Sequence, residues 1–253
     1  MRLLVSTVLT IASCLCNASS VRAGELLRLE GHLMRWAPEA GGKTVISYSI
    51  LTGPYHVESD KSILSPSNCA KMHAFAGITA NSPGLDEAKV KTELQLALRA
   101  WESVANITFA EVADPSRADI VIGAADDPGG HAFANLSYRS AKGVTPVTMA
   151  LGKPDASKVE ALDKESGDGS IVPIDQAYVC LNPKMRWKVG FDGNLDVYDL
   201  RHTFMHEIGH AIGLDHPGAS GAVMAFRYDE GVRELQPSDI AGVQRLYGPR
   251  AAD

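Results

Sequence analysis

The chain has 253 residues, of which 45% are hydrophobic and 21% are charged, and these values are typical of one globular domain with a sizeable core. Its formal net charge at pH 7 is −6. An acidic chain repels phosphate and anionic lipid, so nucleic acid and an anionic membrane surface are excluded as partners.

The N-terminus is predicted to be a secretory signal peptide. Arg2 precedes the apolar run L-L-V-S-T-V-L-T-I-A, and V-R-A ends at Ala23. The run is too short to span a bilayer, so we expect residues 1–23 to be removed. Residues 24–253 would then be secreted, to the periplasm or outside the cell, as a monomer without a membrane span. The loss of Arg2 and Arg22 leaves 22 basic against 30 acidic residues, a net charge of −8.

The cysteines divide into two pairs along the chain. Cys14 and Cys16 leave with the predicted signal peptide, whereas Cys69 and Cys180 remain. In an oxidising compartment an isolated pair is most simply one disulfide. The segment I-A-S-C, ending at Cys14, also resembles a lipoprotein signal, so a lipid anchor stays open as an alternative to free secretion.

The first half of the chain predicts a strand, a long loop, a helix and two more strands. Val45–Ile50 is rich in β-branched residues, and Leu51–Pro83 is loop-like. A helix is predicted from about Asp86 to Ala105, followed by strands at Ile107–Val112 and Ala118–Ile122. The apolar residues that repeat at helical spacing are Val90, Leu94, Ala97, Leu98, Trp101 and Val104.

The second half predicts two further strands and a second helix. Pro146–Leu151 and Ala177–Leu181 are expected to be strands, and Asp163–Ser170 a polar loop. A helix is predicted to begin after Asp196, because Asp196 is a good N-cap and Asp199 follows three residues later.

That helix carries the string H-E-I-G-H-A-I-G-L-D-H. Two histidines four residues apart lie on one helix face, so His206 and His210 can bind one metal ion. Gly213 permits the left-handed turn that ends a helix, and the reversed chain can bring His216 to the same ion. Three histidines with an open fourth position describe a catalytic zinc site, in which Glu207 can take a proton from zinc-bound water.

The sequence after this string resembles one family in particular. Met224 follows within G-A-V-M-A-F-R-Y, and HExxHxxGxxH followed by such a methionine is the signature of the metzincins. The spacing, and the closing segment Leu235–Gly248, are similar to those of the matrixins, the family of the matrix metalloproteinases. The resemblance runs from about Val45 to Gly248. Serralysins share the zinc string, but their glycine-aspartate repeats do not occur here.

The resemblance implies a fold and an activity. The implied fold is the α+β metzincin catalytic domain: a twisted mixed sheet, a long first helix, an active-site helix, and a small C-terminal subdomain with a methionine turn and a terminal helix. The implied function is a secreted zinc endopeptidase acting on proteins or peptides, in a family associated with the extracellular matrix. Met224 would lie beneath the zinc and Tyr228 would wall the substrate pocket, whereas Phe226 stands where many matrixins have proline.

The resemblance also bears on further ions. Asp126–Leu136 is similar to the matrixin region that binds structural ions and offers an edge strand to substrate. Calcium at Asp126 or Asp127 is one interpretation, and a solvated turn is the other. A second, structural zinc is not expected, because Cys180 stands about where the family often has another zinc-binding histidine. His131 is expected to be an edge-strand or surface residue.

Alternatives also remain open for latency and for activity. A narrow processing or toxin-like protease with one partner cannot be separated by composition from a general scavenging protease. Cys69 could hold the zinc latent, although it lacks the family's switch motif, so the disulfide with Cys180 is favoured. The chain could also be a catalytically silent secreted binding protein on a metzincin scaffold. The intact Glu207 argues against a silent scaffold, because a non-catalytic zinc site needs no base there.

Overall fold

A computed structural model describes residues 24–29, 31–40, 42–57, 68–125, 130–140, 143–151, 170–218 and 221–251, including the side chains of all of these except residues 139, 140 and 143–151. Several predicted features lie outside the described residues. They are the signal peptide with Cys14 and Cys16, the acidic pair Asp126 and Asp127, and residues 163–169 of the polar loop.

The described residues form short and long strands in the order β1 (Arg28–Leu29), β2 (His32–Arg35), β3 (Thr44–Ile50), β4 (Tyr55–His56), β5 (Lys71–His73), β6 (Ile107–Glu111), β7 (Ile120–Ala125), β8 (Ala132–Ser140), β9 (Gly143–Leu151), β10 (Ile171–Leu181), β11 (Trp187–Lys188) and β12 (Tyr198–Asp199). The helices are α1 (Ala76–Asn81), α2 (Glu87–Val104), α3 (Leu200–Ala211) and α4 (Pro237–Tyr247). Among the described helices, none combines the length and the apolar character needed to cross a membrane.

The sheet is mixed, with a parallel centre. Strands β6, β3, β7 and β10 are adjacent and parallel, and β2 also runs parallel to β10. The β8–β9 hairpin adds antiparallel pairing to β10. Parallel strands need crossover connections, and α2 provides the one between β3 and β6. The predicted α+β architecture, a twisted mixed sheet with a long first helix and a second helix that carries the histidine string, is confirmed.

Helix α2 joins the sheet to α3. Its N-cap is Asp86, whose carboxylate accepts a hydrogen bond from the Lys89 N–H at 2.8 Å. Its apolar face is buried, and the indole N–H of the fully buried Trp101 donates to the carbonyl of Met205 in α3 at 3.0 Å. The helix predicted from about Asp86 to Ala105 is confirmed to within one residue at each end, because its apolar repeat is long and regular.

The structure contains short elements that the sequence did not predict. Strands β1 and β2 precede the strand predicted as the first, and the predicted loop Leu51–Pro83 contains β4, β5 and α1. Tertiary contacts hold these elements: β2 pairs with Ile171–Pro173 of β10, and the Leu27 N–H donates to the Gly213 carbonyl. Elements of two to six residues carry too little periodicity to be predicted from local pattern.

The prediction of an edge strand within Asp126–Leu136 is wrong for the described residues. Strand β8 pairs with β10 on one side and with β9 on the other. The strand predicted as Pro146–Leu151 begins earlier, at Gly143, and pairs with β8 from Ala132 to Ser140. The hairpin therefore places β9, rather than β8, at the outside of the sheet.

The predicted start of the active-site helix is also wrong. Helix α3 begins at Leu200, and its N-cap is Asp199, whose carboxylate accepts from the His202 N–H at 2.8 Å. Asp196 is not the cap, because the residues after it are not yet helical: Tyr198 and Asp199 form β12, which pairs with Trp187 and Lys188. Both aspartates are suitable N-cap residues, and the strand pairing determines which of them caps the helix.

Candidate metal centre

Helix α3 and the turn after it bring three imidazole nitrogens together. The Nε2 atoms of His206 and His210 are 3.1 Å apart, and each lies 3.2 Å from Nε2 of His216. Tetrahedral zinc with Zn–N distances of about 2.0–2.1 Å would space its ligands about 3.3 Å apart. Within the part of the chain that the structure describes, this is the one group of three or more potential ligands gathered closely enough to hold a metal ion.

The hydrogen bonds of the other ring nitrogens determine which tautomer is present. Nδ1 of His206 lies 2.7 Å from the carbonyl oxygen of Val223, and Nδ1 of His210 lies 2.9 Å from that of Leu214. A carbonyl oxygen only accepts, so each Nδ1 must carry the proton and each Nε2 presents a lone pair. Lone pairs that converge at this distance repel one another unless a cation lies between them, so the residues fit a metal ion.

Burial keeps the three rings in the neutral form that binds metal. Desolvation holds the pKa of His206 and of His210 well below the usual value, and the neighbouring imidazoles lower both further. Burial lowers the pKa of His216 to about 4. Protons therefore compete poorly for these lone pairs near neutral pH.

Glu207 follows the first histidine and is completely buried. Neither carboxyl oxygen has a hydrogen-bond partner among the described residues, and burial raises the pKa of the group well above its ordinary value. An unpaired buried carboxyl is costly, and a cation at the neighbouring imidazoles would stabilise its ionised form. Burial, the missing partner and the raised pKa make Glu207 the candidate for a general base.

The turn that delivers His216 depends on Gly213. This residue has φ of +96°, and a Cβ placed on it would lie 2.2 Å from the carbonyl oxygen of Met34. The Gly213 carbonyl accepts from the Leu27 N–H at 2.9 Å, and the Asp215 N–H donates to the Glu25 carbonyl at 3.0 Å. The extended N-terminal segment therefore supports the chain that leads to His216.

Met224 lies against α3, in a turn that Asp239 holds. The N–H groups of Val223 and Met224 donate to the Asp239 carboxylate at 2.9 and 3.2 Å, and the Val223 carbonyl is the acceptor for His206. Val223 thus connects Asp239, in the first turn of α4, to the predicted metal ligand His206. This role was not predicted from the sequence. Gln236 and Asp239 have capping-box spacing, which could have indicated a helix start but not this contact.

Tyr228 belongs to a column of aromatic rings near α3. Its ring stacks on Tyr198 with centroids 4.4 Å apart and meets the edge of His202 at 4.9 Å, and Tyr198 stacks in turn on His131 at 4.1 Å. The Tyr228 hydroxyl accepts from the Asp199 N–H at 3.1 Å. Tyr198 and His202 were not singled out from the sequence, and His131 is half-buried in this column rather than on an edge strand.

Phe226 contacts the third histidine of the predicted metal centre. Its ring is edge-on to His216, with centroids 5.3 Å apart. The aromatic residue that stands where many matrixins have proline therefore contacts one of the three histidines directly.

Cys69 and Cys180 form a disulfide with Cα atoms 5.7 Å apart. Both are fully buried, in a small apolar cluster separate from the main core. The bond joins the turn before β5 to strand β10. Both sulfurs are used in this bond, so neither cysteine is a thiolate ligand.

Comparisons with known proteins agree with this arrangement. The family model described as Matrixin matches residues 70–248. The chain is 27% identical over 190 residues to the interstitial collagenase of Oryctolagus cuniculus, covering 74% of this chain and 35% of that protein. It is 30% identical over 169 residues to the metalloendoproteinase 1-MMP of Arabidopsis thaliana, covering 65% and 40%. It is 30% identical over 181 residues to human stromelysin-3, covering 65% and 28%.

The aligned regions thus span less than half the length of each of these relatives. The family match itself covers well over half of this chain and includes the three converging histidines, the buried glutamate and the methionine turn. The chain belongs to the matrixin family.

Proposed function

We propose that this chain is a secreted zinc-dependent endopeptidase whose catalytic domain is residues 24–253 and whose signal peptide is residues 1–23. Two observations carry the proposal: three Nε2 lone pairs converge, and the residue that follows His206 on the same helix, Glu207, has a buried carboxyl without a hydrogen-bond partner among the described residues. His206, His210 and His216 would hold the zinc, and Met224 would support α3 from beneath.

A bound zinc ion supplies Lewis acidity, which lowers the pKa of water and polarises a peptide carbonyl. Glu207 takes the proton from the attacking water on one carboxyl oxygen and returns it to the amide nitrogen that leaves. The complete burial of Glu207 strengthens its interaction with any nearby cation, because the local dielectric constant is low. His206 and His210 keep their orientation through their hydrogen bonds to Val223 and Leu214.

The substrate class proposed is proteins and peptides, and the wall of the substrate pocket is assigned to Tyr228. The names of the relatives, collagenase, metalloendoproteinase and stromelysin, support peptide-bond cleavage in general. A structural calcium ion stays a prediction, because Asp126 and Asp127 lie outside the described residues.

The test measures metal content and cleavage in the same preparations. The purified chain should contain about one zinc per molecule and cleave a mixed peptide library; a chelator should stop cleavage and added zinc restore it. Glu207→Gln should keep the zinc and lose about 10²–10⁴-fold in kcat, because it removes the general base. Glu87→Gln, an exposed residue at the start of α2, is the matched control and should behave as the unmodified chain.

A chain that binds zinc but cleaves nothing in the library would instead support the silent binding protein. A folded preparation that contains no stoichiometric zinc would remove the basis of the proposal.

A further inference from the structure

The ammonium group of Lys188 lies inside a ring of oxygen atoms contributed by two different loops. It donates to the carboxylate of Asp192, to the backbone carbonyl of Asn194 at 2.8 Å, and to the carboxylate of Glu230. The Lys188 side chain is only 13% exposed and that of Glu230 only 10%. Lys188 and Asn194 precede α3, whereas Glu230 follows the methionine turn, so a single cation holds two segments together.

This ion pair differs from an ordinary surface pair of the same protein. Lys91 and Glu111 also form a salt bridge, at 2.7 Å, but their side chains are 46% and 39% exposed. Exposed pairs contribute little, because water screens them and both side chains remain free to move. A buried carboxylate that loses its cation, by contrast, is left with an uncompensated charge. Lys188 therefore constrains its surroundings in a way that Lys91 does not.

Glu230 passes this constraint to Tyr228. Its carboxylate accepts hydrogen bonds from the Gly193 N–H and, at 3.2 Å, from the Tyr228 hydroxyl, in addition to those from Lys188. The hydrogen bond from Lys188 is the main cause that lowers the pKa of Glu230, so the carboxylate stays ionised and keeps all three donors.

Tyr228 in turn contacts the start of the helix that carries two of the predicted zinc ligands. Its hydroxyl oxygen accepts from the N–H of Asp199, the N-cap of α3. Its ring meets the edge of His202, which lies four residues before His206 and thus on the same helix face. A continuous series of contacts therefore leads from Lys188 through Glu230 and Tyr228 to α3.

We propose that Lys188 is a positioning residue of this enzyme: its ammonium group, acting through Glu230, fixes Tyr228 against the start of α3 and so sets the surface that a substrate meets beside the metal centre. The inference rests on the proposed endopeptidase function. Lys188 does not itself reach the metal ligands, whose other supports, the carbonyls of Val223 and Leu214, are independent of it. Its loss should therefore weaken substrate binding more than the chemical step.

The test compares Lys188→Met, which removes the charge and keeps the aliphatic stem, with Lys188→Arg and with the control Lys91→Met. On one peptide substrate, Lys188→Met should raise KM about 5–20-fold and change kcat less than about twofold, with zinc content unchanged. Lys188→Arg keeps the charge, so its KM should stay close to that of the unmodified chain. The KM of Lys91→Met should equal that of the unmodified chain. Glu230→Gln keeps the side-chain size and removes the charge; it is the second variant if Lys188→Met does not fold, judged by the same KM criterion.

A double-mutant cycle with Tyr228→Phe tests the proposed series of contacts. If Lys188 acts through Tyr228, the double variant should raise KM no more than the more severe single variant does. KM effects that multiply, a Lys188→Met variant that matches Lys91→Met, or a fall in kcat with loss of zinc would each overturn the inference. An unmodified chain that cleaves no peptide overturns the proposed function, and the inference with it, whereas normal cleavage with an unaffected Lys188→Met variant overturns the inference alone.

Discussion

Gly209 and Met224 are in direct contact at the centre of the molecule. A Cβ built on Gly209 would lie 2.2 Å from Sδ of Met224 and 3.1 Å from Cζ2 of Trp101. Glycine in the middle of a helix is normally unfavourable by about 1 kcal/mol relative to alanine. Here the missing side chain lets α3 rest on the methionine turn, so this position, between His206 and His210 of the proposed metal site, requires glycine for packing.

Gly209→Ala should therefore destabilise the protein, although alanine is the better helix former. Overpacking in a core typically costs about 1–3 kcal/mol, which exceeds the gain of about 1 kcal/mol from helix propensity. The free energy of unfolding in urea measures the net effect. Gly53→Ala is the control, because no atom of the described residues beyond its chain neighbours lies within 4 Å of its Cβ position. If Gly209→Ala proved more stable than the unmodified chain, the contact with Met224 would not limit the packing.

Replacing both cysteines of the disulfide by serine should lower stability but leave zinc binding intact. The bond closes a loop with a sequence separation of 111, and the chain-entropy model gives nearly 5 kcal/mol for a loop of about this length, although measured losses are about 2–5 kcal/mol. Thermal unfolding of the double variant Cys69→Ser/Cys180→Ser, compared with the unmodified chain with and without reductant, measures the loss. A gain in peptidase activity in the double variant would instead revive the latency role of Cys69.

The metal-free protein should lose stability as the pH falls from 6.5 toward 4. Burial lowers the pKa of His216 from 6.5 to about 4, so the unfolded chain takes up a proton in this range and the folded chain does not. The contribution of His216 is complete above pH 6.5 and decreases by roughly 3 kcal/mol on the way to pH 4. Urea unfolding of chelator-treated protein at several pH values measures the slope. His216→Ala should make the slope smaller but not remove it, because burial also lowers the pKa of His206 and of His210. An unchanged slope in that variant would contradict the assignment.

Asp199→Ala should destabilise the start of α3, whereas Asp196→Ala should not. The Asp199 carboxylate accepts from the N–H groups of His202 at 2.8 Å and Gly190 at 2.7 Å. Loss of an N-cap costs about 0.5–2 kcal/mol. The free energy of unfolding of the two variants, measured side by side, gives the difference. Equal losses in both would show that the helix start at Leu200 is wrong.

The proposed metal ligands could be predicted from the sequence because they are close together in it. His206 and His210 are one helical turn apart, and Gly213 permits the turn that brings back His216, so local geometry alone nearly assembles the group. The long apolar repeat of α2 was predictable for a similar reason, since a helix of this length repeats its pattern several times.

What the local pattern could not supply were interactions between distant residues. Strand β1 pairs with β2, and β2 pairs with β10. Asp199 rather than Asp196 caps α3 because Tyr198 and Asp199 pair with Trp187 and Lys188, so the helix starts only after them. The edge-strand prediction failed for a more local reason, since β9 follows β8 in a hairpin whose extent the sequence did not reveal.

The sequence by itself determined which atoms can meet a metal ion and which carboxyl lies next to them, because eleven consecutive residues contain all four side chains. Only the tertiary structure decided what holds those side chains in place. Asp239 holds the turn whose Val223 carbonyl supports His206, and Lys188, Glu230 and Tyr228 form contacts that end at the N-cap of α3. These residues come from segments separated along the chain, and their contacts depend on how the loops pack rather than on spacing. Contacts of that kind arise from the folded arrangement of the whole domain, so no short window of sequence contains them.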